Sequence, residues 1–95
     1  MKSSRELLIE VLEEARRLVA RPENDFAWSY WKDREEALAE IDKLLAEVKA
    51  GERKNREDLK MMFMVTGALQ EVSLSSGWAD EYLQLATRFD AVQDA

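Results

Sequence analysis

Pro22, Gly51, Gly67 and Gly77 are the only proline and the only glycines in this chain, and their positions restrict its fold more than any other feature. Between them lie long stretches with no strong backbone breaker, which favours long regular elements. Within those stretches apolar residues recur at steps of three and four, the spacing of one face of an α-helix.

Residues 4–21 read as the first helix. Ser3 and Glu6 have the spacing of a capping box, and Leu8, Leu12, Ala15 and Val19 form an apolar stripe widened by Leu7, Val11 and Leu18. Glutamates lie early and arginines late, which suits the helix dipole. Pro22 ends the helix, because it has no N–H and disfavours a helical Arg21. A second helix, 34–50, starts from a capping Asp33 and carries Leu38, Ile41, Leu45 and Val48 inward. Asp42, Lys43, Glu47 and Lys49 are expected on its outer face, and Gly51 supplies a left-handed terminator.

Asn55 is placed to cap a third helix, 56–66, with Leu59, Met62 and Phe63 on one side. The run "MMFMV" at 61–65 is apolar all round, the pattern of a central element buried on several faces. Residues 69–74 fit a short helix or a partly alternating strand. A lone strand would have no partner for its backbone, so the expectation is a helix over 68–76 ended by Gly77. A last helix, 79–92, is expected to bury Tyr82, Leu83, Ala86 and Phe89. The fold class is therefore all-α: one domain spanning 1–95, a bundle of four to five helices.

The chain has no cysteine, which excludes a disulfide scaffold, a thiolate metal site and a cysteine nucleophile. It has no histidine either, so the commonest general base and the commonest metal ligand are both missing. Glu35, Glu36 and Glu40 approach the carboxylate pattern of all-helical nucleotide pyrophosphohydrolases, but Ala39 stands where the third acid is needed. Glu10, Glu13 and Glu14 have no paired motif. A solvated helix face explains these acids more simply than a magnesium site. Thr66, Ser73, Ser75 and Ser76 have no histidine to activate them, and no glycine-rich phosphate loop is present. No catalytic residue, cofactor or metal ligand is assigned.

Net charge is −6, and residues 66–95 hold one basic and five acidic side chains. Such a surface repels phosphate backbones, so a nucleic-acid partner is not expected. No segment reaches the ~20 apolar residues of a membrane span, and "MKSSRELLIE" lacks a signal-like apolar run. The expectation is a cytoplasmic protein with no membrane partner.

The stretch "NDFAWSYW" holds half of the eight aromatic residues between two helices. A connection with that much apolar area must pack some of it inward. Phe26 and Trp28 are expected against the flanking helices, leaving Tyr30 and Trp31 to meet a partner. Trp28 and Trp31 would flank a groove if the segment turns helically. The methionine run serves either as core filling, the commoner use, or as an adaptable groove for a partner helix.

The segments "FAWSYW", "EALAEIDKLL" and "VTGALQEVSLSSGWADEYLQLATRFD" resemble a family of small uncharacterised bacterial proteins known only as a domain of unknown function. The resemblance covers residues 26–90. That family commonly has proline before the Thr-Gly pair, where this chain has Val65. The likeness implies no activity, but it implies that Gln70, Glu71, Gly77 and Trp78 belong to a recurring unit. With the linker aromatics they define the candidate interaction surface: Trp28, Tyr30, Trp31, Gln70, Glu71 and Trp78.

The leading functional expectation is a non-enzymatic acidic helical protein that binds another protein. An immunity-type or inhibitor role is one version, because acidic surfaces speed docking onto basic enzymes. Self-association through Trp28, Trp31 and Met61 is a further possibility. The competing class is a carboxylate-based magnesium enzyme or small-ligand binder.

Overall fold

The computed structural model describes residues 1–95. Helix α1 (Ser4–Val19) opens with the expected capping box: Ser3 Oγ accepts from the Glu6 amide at 3.1 Å, and the Glu6 carboxylate accepts from the Ser3 amide at 3.2 Å. Two free donors of the first turn are thereby satisfied. Leu8, Val11, Leu12, Ala15, Leu18 and Val19 are buried, while Leu7 lies at the edge of the stripe and is exposed. The helix stops two residues short of Arg21. Pro22 has no N–H for the Leu18 carbonyl, and the Asn24 side-chain amide takes its place, donating to Leu18 O and Val19 O at 2.8 Å each.

Helix α2 (Arg34–Lys49) starts where Asp33 accepts from the Glu36 amide at 2.9 Å, and it ends before Gly51, whose φ of +76° is the left-handed conformation expected there. Ala37, Ile41, Leu44, Leu45 and Val48 face inward. Glu47, expected outside, is buried as well. Its Oε2 accepts from Asn55 Nδ2 at 2.6 Å, and its charge also acts on Arg56. That bond changes the role of Asn55. Its backbone is left-handed (φ +62°) where an ordinary N-cap is extended, its side-chain N–H is directed to the Glu47 carboxylate, and it makes no capping bond to the next helix.

Helices α3 (Arg56–Met62), α4 (Ala68–Ser76) and α5 (Ala79–Val92) complete the chain. α3 ends at Met62 and does not run to 66, because the chain must turn back sharply to reach Gly67. A β-carbon on Gly67 would lie 2.4 Å from the Met61 carbonyl oxygen, so only glycine permits that approach. The apolar run is therefore not a central element. Met62 and Phe63 are buried, whereas Met61, Met64 and Val65 stand on the surface.

Residues 69–74 are helical, as expected. Gly77, at φ +85°, ends α4, and the amides of Gly77 and Trp78 both donate to Ser73 O at 3.0 Å. α5 buries Tyr82, Leu85, Phe89 and Val92. The expected stripe was rotated from this one: Leu83 is exposed and Ala86 half-buried, because 82, 85, 89 and 92 keep the helical spacing toward the neighbouring helices.

α1 is the shared packing partner. Both α2 and α5 lie against it, α4 packs on α5 and touches α1, and α3 packs on α4. Twenty-three buried apolar side chains form one cluster. The radius of gyration, 12.4 Å, is the value expected of a single folded domain of this length, about 12 Å. No helix is long and apolar enough to cross a membrane.

Candidate interaction surface

The linker between α1 and α2 is fastened at both ends by polar atoms. At its start, Asn24 closes α1 and its Oδ1 accepts from the indole of Trp78 at 2.8 Å. The next amide, Asp25, donates to Ser76 Oγ at 2.8 Å. At its end, one carboxylate holds two aromatic residues: Glu40 accepts from the Tyr30 hydroxyl at 2.9 Å and from the Trp31 indole at 2.7 Å. The two rings meet edge to face, centroids 5.4 Å apart, a favoured geometry for aromatic pairs. Burial, and then the hydrogen bond to Glu40, push the Tyr30 phenol above its ordinary pKa of 10.0.

These anchors reverse two of the expected roles. Trp31 is 1% exposed and belongs to the core, whereas Trp28 is 74% exposed and does not pack inward. Phe26 is half-buried against the core, as expected. A buried indole usually has an acceptor for its N–H. Glu40, nine residues further on, supplies it to Trp31; Trp28 makes no such bond. Trp78 is also 1% exposed and satisfied by Asn24, so it too is part of the core and not of a partner-facing surface.

The turn between α3 and α4 is held by two contacts from α5. The rings of Phe63 and Phe89 stack with centroids 4.1 Å apart and planes 5° from parallel. The buried Tyr82 hydroxyl donates to the Phe63 carbonyl at 3.0 Å. With Phe63 fixed, Met64 and Val65 must project outward.

Between this turn and α5 lies an open groove of about 650 Å³, walled by Phe63, Met64, Val65, Tyr82, Leu83 and Phe89, with Lys60, Gln70, Asp90 and Gln93 on its margins. A smaller hollow lined by Tyr30, Met61, Met64, Thr66 and Gly67 continues it around the turn. Tyr30, Met61, Met64, Val65 and Leu83 thus form one apolar surface that the chain leaves uncovered.

Of the six residues singled out in the sequence, Tyr30 and Gln70 border this surface. Trp28 and the half-buried Glu71 line neither hollow, and Trp31 and Trp78 are inside. Met61, Met64, Val65 and Leu83 enter the site from outside those six, although the sequence offers the methionine run as a partner groove and Met61 as a self-association residue. For the first three the signal was Thr66-Gly67, which interrupts the helix and so prevents it from burying every side of "MMFMV"; nothing in the sequence marked Leu83 as exposed.

No group of three or more acidic side chains is placed to hold a metal ion. Glu40, part of the carboxylate cluster considered above, is occupied by Tyr30 and Trp31, and Glu36 accepts from the Lys32 amide at 3.2 Å. Comparison with protein-family models, with curated proteins and with solved structures finds no match to this chain.

Proposed function

We propose that this chain is a non-enzymatic interaction module that binds another protein through the apolar surface around the α3–α4 turn. One observation carries this reading: Tyr30, Met61, Met64, Val65 and Leu83 are exposed together on a chain with apolar residues enough to fill its core. A contiguous apolar area of this kind on a small protein is a mark of an interaction site, and methionine and tyrosine are enriched in such sites. The absence of histidine and cysteine supports a binding role over a catalytic one.

Affinity capture from the native host tests it when the wild type and Leu83→Asp are run side by side. Leu83 is 61% exposed, so the variant keeps its fold, which circular dichroism melting verifies. The expected result is a protein retained by the wild type and lost from the variant. Equal recovery of every protein by both would reject this surface as the binding site.

A further inference from the structure

The partner's chemistry follows from how the groove is lined, an inference that rests on the interaction reading above. Along α5 the groove wall runs Leu83, Ala86, Asp90 and Gln93, steps of three and four that keep these residues on one face. The face is apolar at its start and acidic toward its end. Ten residue steps of helix make it about 15 Å long, two to three turns of a partner helix. The opposite wall, Phe63, Met64 and Val65, is apolar and includes an unbranched thioether that repacks readily.

The groove carries one cation, Lys60, and one anion, Asp90, within a segment, 66–95, whose only basic residue is Arg88 against five acids. Lys60 is engaged by Asp94 at 3.7 Å and Glu81 by Arg21 at 3.5 Å. Asp90, the one acid that lines the groove, forms no salt bridge; nor do Glu71 and Asp80 beyond the groove, nor Arg88, the single cation of α5. Asp90 lies on the groove itself, at the C-terminal half of α5, where the helix dipole adds to its negative potential. An acidic second copy of the chain or an anionic bilayer would be repelled there.

We propose that the groove between the α3–α4 turn and α5 receives a basic amphipathic helix of another protein. Its apolar face would lie against Met64 and Leu83, with a lysine or arginine at Asp90. This is the helix-in-groove mode, in which apolar anchors give affinity and a flanking charge fixes orientation.

The test is fluorescence anisotropy with a labelled synthetic Leu/Lys amphipathic peptide of about 14 residues, long enough as a helix to cover the groove. The wild type should bind it, and a Leu/Glu analogue should not bind. Leu83→Glu is the decisive variant. It makes the protein more acidic, so undirected charge attraction would strengthen binding, whereas occupancy of the groove predicts a loss of about tenfold or more. Asp90→Asn should also weaken binding, and Trp28→Ala should leave it unchanged.

Equal or tighter binding by Leu83→Glu would overturn the proposal. So would a wild-type dimer that Leu83→Glu dissociates, or co-sedimentation with phosphatidylglycerol vesicles in place of peptide binding. If no basic peptide binds while host capture still depends on Leu83, the basic-helix inference falls and the interaction reading stands. If capture is also insensitive to Leu83, both fall.

Discussion

Asn24 closes three hydrogen bonds from one side chain, to Leu18 O, Val19 O and the Trp78 indole, and so joins the end of α1 to the start of α5. Asn24→Ala would leave the Val19 carbonyl and the buried Trp78 indole N–H without partners, and Leu18 O with only the 3.4 Å bond from the Arg21 amide. Each unsatisfied buried group costs about 1–3 kcal/mol. A loss of roughly 2–4 kcal/mol is therefore expected in urea unfolding. Asn24→Asp keeps the acceptor for Trp78 but loses both donations, so it should fall between alanine and wild type. An alanine variant as stable as the wild type would show that water replaces these bonds at no cost. None of this was legible in the sequence. Asn24 looked like one polar residue in a loop, because the indole it binds lies 54 positions further along the chain.

At the level of the elements, all five helices were legible, because breakers and caps act locally: Ser3, Asp33, Gly51 and Gly77 each do what their positions implied. The faces were less legible. Periodicity gave α1 and α2 correctly at most positions, yet Glu47 turned inward because Asn55 arrives from the following loop to hold it. The largest departure was "MMFMV", where hydrophobicity argued for burial and the close approach at Gly67 requires a turn. Of the candidate site, Tyr30 and Gln70 were named in advance, whereas for the methionine run the sequence favours core filling over a partner groove, and Met61 and Met64 are exposed. A direct check contrasts two positions in this region. Met64→Gln with Val65→Thr alters only exposed side chains and should move stability by no more than about 0.5 kcal/mol. Leu59→Ala empties a fully buried position and should cost about 2–5 kcal/mol. Comparable losses from both would mean that the turn is packed after all.

For the molecule as a whole, two tyrosines contribute a stability that alkali removes. The Tyr82 phenol is raised above its ordinary pKa of 10.0 first by burial and then by the charge of Asp90, and Tyr30 is raised by burial and by Glu40. In the unfolded chain both lose these surroundings and ionise at the ordinary value. The folded state therefore holds its phenolic protons more tightly, and stability falls as pH rises wherever it binds the extra protons. The contribution is complete below about pH 10 and is lost progressively above it, toward the raised pKa values of the fold. The mechanism at Tyr82 is specific: a phenolate could no longer donate to the Phe63 carbonyl and would be repelled by the charge of Asp90 on the same helix. The urea midpoint should hold level between about pH 7 and 9 as far as these two groups are concerned, then decline. Tyr82→Phe should lower the midpoint at neutral pH, through the lost bond to Phe63, while making the alkaline decline shallower. Tyr30→Phe should flatten it less, because Tyr30 is half-exposed and its phenolate would be partly solvated. If the declines of wild type, Tyr82→Phe and Tyr30→Phe all have the same slope above pH 10, the two tyrosines do not govern the alkaline limit of this fold.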